Sequence, residues 1–425
     1  GTGWSVHGSG CDGCGLCAGK LIQGKPAMIP EDETGKGEKR ELLPPSVSLD
    51  LAREIVKKVR EAKRPVINAG NGIRIGKAFD VFQRVVEMLG IPVVTGWDSP
   101  DCMYDSHPLY VGRAGHMGDR PGNFAVQNCD LLLSLGSRLS IRQVGYNYPT
   151  WAREAYVIYN DIDAEELKKP TVHVDMPVHA DVRDLLEKME MVLEVEAVSA
   201  DGGPKDKEAV DWWISRCQQW KEKYPVVLPK HYEAGEDQPA NIYAAIKEIS
   251  RRAEEDQITV VGNGSPCVVG GHAYEMKKGQ RFISNSAIAS MGYDLPAAIG
   301  ACLADHTKDI ILVTGDGSIQ MNLQELITAV SNKLPVKVLI LNNFYLGMVR
   351  QLQQLFYGER CNAVDIADQP DFVKLAEAYG AEGYRITRPE DLEPTLRAAF
   401  ASPNTAIIDV HVERTENVYP TVPAG

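Results

Sequence analysis

Short apolar runs alternate with segments of helical periodicity along most of this chain. The runs have the length of buried strands, and the periodic segments repeat apolar residues every three to four positions, as amphipathic helices do. In the first half the runs lie at residues 65–69, 91–95, 131–135 and 155–159, and the helical segments at 49–62, 77–89, 123–128 and 182–192. Strands that alternate with helices predict a doubly wound, mostly parallel sheet.

The second half repeats this arrangement. Its predicted strands are residues 258–261, 281–284, 310–313, 336–341 and 406–412, and its predicted helices are 241–252, 297–303, 319–332, 372–379 and 392–401. We therefore expect an α/β fold with two doubly wound, mostly parallel-sheet domains.

Composition indicates where the domains begin and end. Residues 1–45 are rich in glycine and charged residues, and predict a flexible N-terminal segment. We expect a central domain of the nucleotide-binding type over residues 46–195, and a linker with an amphipathic helix over 196–240. The last domain then covers residues 241–425.

Charge and composition exclude several classes of protein. A net charge of −13 argues against nucleic acids or anionic membranes as partners. The sequence has no apolar run of the roughly 18 residues that a membrane-spanning helix needs, and no signal-peptide pattern opens it. The nine cysteines, an odd number and mostly scattered singly, fit reduced thiols in a cytoplasmic protein.

Three cysteines near the start of the chain stand close together. Cys11, Cys14 and Cys17 have the spacing of part of an iron–sulfur or zinc site. A ferredoxin-like run needs a fourth cysteine, and none follows Cys17. We expect a flexible segment there rather than a metal cluster.

In the first half, residue types suited to a nucleotide follow the predicted strands. Ligands of open α/β sheets bind outside the carboxyl ends of the strands. Glycine there admits a pyrophosphate, arginine pairs with its charge, and an acidic residue can hold ribose hydroxyls. Yet glycine and aspartate are also common in plain turns and helix caps, and the G-x-G-x-x-G fingerprint is absent. The residues at these ends are Gly70, Gly72, Thr95, Gly136, Arg138, Asp161 and Asp163.

A longer motif connects two predicted strands of the second half. The segment 314–318, Thr-Gly-Asp-Gly-Ser, follows one apolar run, and Asn342-Asn343 follows the next. A right-handed β-α-β crossover places the ends of neighbouring parallel strands side by side, so Asp316 and Asn343 can meet on one cation. Mg²⁺ suits such oxygen ligands when phosphate and water supply the rest. Gly315 and Gly317 let the backbone approach that phosphate closely.

The spacing of Gly-Asp-Gly and Asn-Asn resembles the thiamin-diphosphate motif of enzymes that use this cofactor. Further segments resemble the large catalytic subunit of acetolactate synthase (acetohydroxyacid synthase), namely residues 321–326, 334–338, 346–351, 356–357, 370–380 and 416–423. Other segments resemble the FAD-binding domain of that family, namely residues 112–118, 123–131 and 136–138. The resemblance covers the chain from about residue 46 to its end.

The resemblance implies three α/β domains, with thiamin diphosphate held between the C-terminal domain of one subunit and the N-terminal domain of another. It implies that Asp316, Asn343 and the backbone carbonyl of Tyr345 bind Mg²⁺, and that Met291 bends the cofactor. The residues matched to thiamin diphosphate are Gly262, Asn263, Gly264, Ser265, Ala289, Met291, Gly315, Gly317, Ser318 and Met348. Those matched to FAD are Gly70, Asn71, Gly72, Thr95, His116, Gly136, Arg138, Asp161, Asp163 and Asp181.

The sequence also departs from the family. The family's N-terminal domain, with the glutamate that activates the cofactor, has no counterpart in it. Leu352 stands where most acetolactate synthases carry a tryptophan, so we expect a wider substrate pocket. Ser140-Ile141 replaces an acidic pair, and residues 287–291 replace a glycine-rich turn. These departures put the second substrate in doubt.

We therefore expect a thiamin-diphosphate- and Mg²⁺-dependent carboligase with FAD in a structural role. It would decarboxylate pyruvate and join the hydroxyethyl unit to a second 2-oxoacid, as in branched-chain amino-acid biosynthesis. Three alternatives stay open. They are another thiamin-diphosphate decarboxylase or carboligase of a sugar or secondary pathway, a cofactor-binding subunit inactive without the missing domain, and a nicotinamide-linked oxidoreductase.

The resemblance also implies the partners. We expect small 2-oxoacid substrates, and a homo-oligomer (a dimer or tetramer) with the active site at the subunit interface. A small regulatory subunit is a further expected partner. Nucleic acid and membrane are not expected as partners, and the expected location is the cytoplasm.

Overall fold

The computed structural model describes residues 44–197, 203–233, 238–305 and 307–421. The predicted flexible segment, apart from residues 44 and 45, and the three clustered cysteines lie outside these ranges. The described chain forms two six-stranded sheets, and every strand pair in them is parallel. The predicted α/β fold class is confirmed.

The first sheet has the strand order β3-β2-β1-β4-β5-β6. Successive strands are added to one side of β1 up to β3 and to its other side from β4 on, so the topological switch point lies between β1 and β4. Its strands are β1 (Pro65–Ala69), β2 (Val93–Thr95), β3 (Tyr110–Arg113), β4 (Leu131–Leu135), β5 (Tyr156–Asp161) and β6 (Met176–His179). The helices around it are α1 (Leu49–Glu61), α2 (Gly72–Ile75), α3 (Phe79–Leu89), α4 (Arg120–Asn128), α5 (Ile141–Val144), α6 (Val182–Ala197) and α7 (Lys207–Lys223).

The second sheet has the order β11-β12-β10-β9-β7-β8. Its strands are β7 (Ile258–Val261), β8 (Arg281–Ser284), β9 (Ile310–Gly315), β10 (Val336–Asn342), β11 (Glu382–Ile386) and β12 (Ala406–His411). Its helices are α8 (Ile242–Arg252), α9 (Ser265–Ala273), α10 (Asp294–Ala304), α11 (Asp316–Ile319), α12 (Leu326–Ser331), α13 (Gly347–Phe356), α14 (Phe372–Tyr379) and α15 (Pro389–Ala401). Short 3₁₀ turns lie at Pro100–Cys102, Tyr148–Thr150, Glu166–Lys168, Pro229–Tyr232 and Leu323–Glu325.

The central strands are the apolar runs of the sequence. Every residue of β1, β4, β9 and β10 is buried, as expected for parallel strands covered by helices on both faces. The register pairs Leu341 with Gly315 and Val261 with Val313. The carboxyl ends of β7, β9 and β10 therefore lie side by side.

The predicted helix over residues 319–332 is wrong as one element. The chain there forms the end of α11, a 3₁₀ turn at Leu323–Glu325, and then α12. Asn322 breaks the helix, because its backbone is not helical (φ −136°) and its side-chain amide donates to the carbonyl of Gly292 at 2.7 Å. Strands β3, β6 and β11 were not predicted.

Buried polar contacts join the two sheets. The Arg113 guanidinium donates to the carbonyl oxygens of Tyr274 at 2.7 Å and His272 at 3.2 Å, and lies 3.3 Å from the Asp105 carboxylate. Asp105 also accepts from the backbone N–H of Met276 at 2.7 Å. In the described ranges, no helix is both long and apolar enough to cross a membrane.

Candidate functional site

Asp316 lies at the end of β9, where the chain enters α11. Its side chain is buried, and its two oxygens accept backbone N–H groups, from Gly317 at 3.0 Å and from Phe344 at 2.8 Å. Burial raises the pKa of Asp316 to about 7, although these N–H donors favour the charged form. A cation beside the carboxylate would reverse this shift, because it compensates the buried negative charge.

Asn343 follows β10 and lies beside Asp316. Its side-chain oxygen accepts the N–H of Tyr345 at 3.0 Å, while Asp316 accepts the N–H of the intervening Phe344. Phe344 has a φ of +60°, so the chain turns sharply here, and the two polar side chains accept the N–H groups of neighbouring residues. The predicted meeting of the two strand ends is thus present in the structure.

The loop after β7 joins the same cluster. A Cβ placed on Gly347, at the start of α13, would lie 2.6 Å from Ser265 Oγ and 2.8 Å from Asn343 Nδ2. Ser265 begins α9 and follows Gly264, whose φ of +89° favours glycine. The first backbone N–H groups of a helix have no partner within it, so the start of α9 beside this cluster suits an anionic group such as a diphosphate.

A buried carboxylate that the sequence analysis missed supports that loop. Asp294, at the start of α10, accepts a hydrogen bond from the hydroxyl of Thr314. A Cβ at Gly262 would lie only 2.2 Å from the Asp294 carboxylate, so glycine is needed there for close packing. The position of Asp294, in a turn that leads into a helix, looks like that of an ordinary helix cap and gave no signal in the sequence.

Residues 285–292 form a second loop over the cluster. Ala289 has a φ of +60°, and its carbonyl accepts the Asn263 amide at 2.5 Å. The N–H of Gly292 donates to Ser318 Oγ at 3.0 Å. A Cβ at Gly317 would lie 3.3 Å from the terminal methyl of Met291, so Met291 rests against the Gly-Asp-Gly turn.

Helix α13 begins beside the cluster, at Gly347. Leu352 is 49% exposed, and Met348 is half-buried on the same helix. Tyr345 lies under the Arg414 guanidinium, 4.6 Å from the ring centroid. Within the ranges that the structure describes, no group of three or more His, Cys, Asp or Glu side chains could hold a metal. A cation at Asp316 and Asn343 therefore needs ligands from phosphate or water as well.

A cavity of about 830 Å³ opens at the switch point of the first sheet. Eight of the ten residues matched to FAD line it: Gly70, Asn71, Gly72, Gly136, Arg138, Asp161, Asp163 and Asp181. Thr95 and His116 are not among the lining residues. The hydroxyl of Thr95 bonds with that of Tyr110 at 3.1 Å, and His116 packs edge-on against Tyr146.

Packing between two loops accounts for the glycines of this cavity. A Cβ at Gly70 would lie 2.2 Å from the Cα of Ser137, and one at Gly72 would lie 2.8 Å from the Cα of Gly136. The N–H of Gly70 donates to Leu135, and that of Gly72 to Gly136, each at 2.9 Å. These glycines thus let the turns after β1 and β4 touch.

Charged side chains of both signs surround the same cavity. Arg138 pairs with Glu166 at 2.9 Å and is 72% exposed. The sequence analysis missed Trp97 and Asp98, which follow the end of β2 and line the cavity, and Arg142 from α5. The criterion that selected Thr95, a position at a strand end, could have extended to Trp97 and Asp98.

Two family models match this chain. The model described as "Thiamine pyrophosphate enzyme, central domain" matches residues 52–189, and the one described as "Thiamine pyrophosphate enzyme, C-terminal TPP binding domain" matches residues 262–410. The first covers all six strands of the first sheet, and the second covers the second sheet from the end of β7 onward, including the cluster around Asp316. Together with the fold, these matches show that the chain belongs to the thiamin-diphosphate enzymes.

Within that family, the chain is a homologue of acetolactate synthase large subunits. It is 33% identical to the acetolactate synthase large subunit of Cyanidium caldarium, over 89% of this chain and 62% of that protein. It is 35% identical to the acetolactate synthase large subunit of Parasynechococcus marenigrum, over 86% of this chain and 57% of that protein. The acetolactate synthase of Mycobacterium avium is 34% identical, with 88% and 59% covered. The chain thus spans about 57–62% of the length of these relatives.

Proposed function

We propose that this chain is the cofactor-binding part of an acetolactate synthase-like carboligase that uses thiamin diphosphate and Mg²⁺. The reaction would decarboxylate pyruvate and join the hydroxyethyl unit to a second 2-oxoacid. The observation that carries this proposal is the buried Asp316 carboxylate beside Asn343, at the joined ends of two parallel strands. Such a carboxylate is stable in its charged form when a cation binds it.

Asp316, the side-chain oxygen of Asn343 and the carbonyl of Tyr345 would hold Mg²⁺. Oxygen ligands from two side chains and one backbone group leave room for phosphate oxygens and water, as Mg²⁺ prefers. Gly264, Ser265 and the start of α9 would receive the diphosphate, because their N–H groups supply donors and helix-dipole charge. Gly317 and Ser318 would border it on the other side.

Met291 would set the shape of the bound cofactor. Its methyl group rests against Gly317, and the loop around it is fixed by the Ser318 and Asn322 contacts with Gly292. Thiamin diphosphate, when bound, supplies a carbon nucleophile, and its positively charged ring takes up the electron pair left by decarboxylation. The chain's contribution there would be to hold the cofactor and, through Met291, to set its shape.

Leu352 would help to choose the second 2-oxoacid. It is half exposed on α13, the helix that begins beside the cluster. A leucine leaves more space than a tryptophan, so larger acceptors should fit. The sugar-pathway or secondary-pathway carboligase remains the alternative, and product analysis with a series of 2-oxoacids separates it from the acetolactate reaction.

The central cavity would hold FAD in a structural role. Its volume lies within the range of sites for small molecules and cofactors, and its acidic and basic lining suits ribose hydroxyls and a pyrophosphate. A homo-oligomer, a small regulatory subunit and a cytoplasmic location complete the proposal, since the relatives are named large subunits.

Direct binding measurements test this proposal. Thiamin diphosphate should bind the chain in the presence of Mg²⁺, and the chelator EDTA should abolish binding. The D316N variant should bind it more than about 100-fold more weakly, because even outer-shell partners of a metal site are worth roughly 10–100-fold. The exposed D50N variant is the matched control and should bind normally. Unchanged binding by D316N would refute the proposal.

Carbon dioxide release from pyruvate tests the activity itself. Release with acetolactate as product supports the carboligase, whereas release with acetaldehyde indicates a decarboxylase. Tight cofactor binding without any release supports the inactive cofactor-binding subunit. A flavin absorption spectrum of the purified protein would count against a nicotinamide-linked oxidoreductase.

A further inference from the structure

One short segment of the first sheet touches the 285–292 loop and helix α9, which both border the proposed diphosphate site. This segment, residues 96–101, follows β2 and lines the central cavity with Gly96, Trp97, Asp98 and Ser99. On the cavity side it is tied to the end of β1. The N–H of Gly96 donates to Ala69 at 3.1 Å, and the Ser99 hydroxyl donates to the same carbonyl at 2.7 Å. A ligand that contacts Gly70 and Asp98 would therefore contact this segment directly at Asp98 and also touch the end of β1 to which the segment is bonded.

The other side of the 96–101 segment contacts the second sheet. The Asp98 carboxylate accepts a hydrogen bond from the buried hydroxyl of Ser286. Asp101 accepts from the Arg281 side chain at 2.8 Å and from the Phe282 N–H at 3.3 Å, so it holds β8. These contacts fix β8 and the first residues of the 285–292 loop to the wall of the cavity.

Trp97 makes the third contact, with helix α9. A Cβ at Gly271 would lie 3.6 Å from the Trp97 ring, and Trp97 packs against the core cluster to which Val268 and Val269 of this helix belong. Helix α9 begins at Ser265, and the 285–292 loop carries Ala289 and Met291. The 96–101 segment therefore contacts both elements that would enclose thiamin diphosphate.

We propose that the 96–101 segment couples the two sites, so that a dinucleotide in the central cavity tightens binding of thiamin diphosphate and Mg²⁺ through the Asp98–Ser286 contact. This inference rests on the proposed function. A ligand that orders the segment also orders the 285–292 loop, so the second ligand meets a smaller ordering cost. The coupling is reciprocal by linkage, so thiamin diphosphate must tighten the dinucleotide by the same factor. Asp98 and Ser286 are positioning residues in this scheme.

The test measures thiamin diphosphate affinity in Mg²⁺ buffer by calorimetry, with and without a saturating dinucleotide. FAD and NAD⁺ are used in parallel as the probes. The wild-type chain should bind thiamin diphosphate at least about fivefold more tightly with the dinucleotide that fits. In S286A this ratio should fall below about twofold, while the affinity for the dinucleotide alone stays unchanged, because Ser286 does not line the cavity. In D98A the ratio should also fall below about twofold.

Two further variants separate coupling from damage to the fold. S286T keeps the hydroxyl and should keep most of the ratio. S290A removes an exposed hydroxyl from the same loop and should keep all of it. Hydrogen exchange of residues 285–292 should slow on dinucleotide binding in the wild type and not in S286A.

The outcomes distinguish this inference from the proposed function. If thiamin diphosphate binds equally well with and without either dinucleotide, the coupling is refuted and the proposed function stands. The same holds if S286A retains the wild-type ratio. If thiamin diphosphate with Mg²⁺ does not bind under any condition, the proposed function fails and the coupling fails with it.

Discussion

The cluster around Asp316 and the central cavity both lie at the carboxyl ends of parallel strands, but different parts of the chain build them. At the cluster, polar side chains occupy the strand ends, and one carboxylate is buried against backbone N–H groups. At the cavity, glycines follow β1 and β4, and the N–H groups of Gly70 and Gly72 already bond to neighbouring carbonyls. One site is defined by side-chain chemistry and the other by backbone packing.

This difference shows how strand-end residues should be interpreted. A buried acid at a strand end costs free energy unless a ligand or partner compensates it, so it indicates function. A glycine at the same place is explained when a Cβ would collide with a neighbouring loop, as at Gly70 and Gly72. A glycine-to-alanine substitution should therefore mainly reduce stability at the cavity and mainly weaken binding at the cluster.

The largest effect is expected for Gly70→Ala in the cavity. The new Cβ would meet backbone atoms of Gly136 and Ser137 at 2.2–2.5 Å, and a backbone cannot move aside as a flexible side chain can. We expect a loss of more than about 3 kcal/mol in the free energy of unfolding, at the upper end of overpacking costs. Urea unfolding followed by circular dichroism measures it.

The control is Gly300→Ala on α10, where nothing lies within 4 Å of the new Cβ. Alanine in a helix interior should raise stability there by about 0.5–1 kcal/mol. A Gly70→Ala variant as stable as the wild type would contradict the packing explanation and leave ligand contact as the reason for the glycine.

The next largest effect on stability is expected for His272, a residue of the second sheet's helix α9 that bonds to Met117 beside the first sheet. Its ring is buried in α9 and bonds to the carbonyl of Met117 through Nε2, and Nδ1 has no hydrogen-bond partner among the described residues. Burial lowers the pKa of His272 from 6.5 to about 4. The unfolded chain therefore binds a proton between these pH values that the folded chain does not, and folding stability falls as the pH drops through that window.

For His272 we expect a loss of about 2–3 kcal/mol between pH 7 and pH 4.5. The His272→Gln variant keeps a donor for the Met117 carbonyl but cannot titrate, so its loss over the same range should be smaller by that amount. Urea unfolding of both proteins at the two pH values gives the difference. Equal acid sensitivity in the two proteins would show that His272 is not responsible.

Gly317→Ala in the cluster should affect binding more than folding. The new Cβ would meet the ends of flexible side chains, Leu346 at 2.8 Å, Met291 at 3.3 Å and Ile366 at 3.4 Å. These can move, so the free energy of unfolding should fall by only about 1 kcal/mol. Binding of thiamin diphosphate should weaken at least about tenfold, since the Cβ displaces Met291. A stability loss as large as that of Gly70→Ala would remove the contrast between the sites.

The sequence predicted the parts of this structure that depend on residues close together in the chain. Strands β1, β4 and β9 are buried on both faces and mostly apolar, so their runs were visible, whereas β3, β6 and β11 were missed. All three are edge strands whose short runs contain glycine or polar residues, as at Gly112, His179 and Arg385, so no apolar run marks them. Asp316 and Asn343 could be paired from strand order alone.

Contacts between the two sheets could not be predicted in this way. Asp98 and Ser286 are far apart in the sequence, and each looks like an ordinary loop residue. Their contact depends on how the two sheets pack, which no local pattern specifies. The boundaries of the predicted domains and the roles of individual site residues remain predictions.

The smallest stability effect is expected for Arg138→Ala. Arg138 is largely exposed and pairs with Glu166 at the rim of the cavity, so its loss should change the free energy of unfolding by less than about 0.5 kcal/mol. If the cavity binds a pyrophosphate, the same change should weaken FAD binding about tenfold at low salt and less at high salt, because salt screens an exposed charge. Arg53→Ala, which removes an exposed arginine paired with Asp50, should leave FAD binding unchanged. Equal FAD affinities for Arg138→Ala and the wild type would show that Arg138 does not bind the pyrophosphate. Backbone packing would then be the explanation for the cavity, and side-chain chemistry would remain the explanation only for the cluster around Asp316.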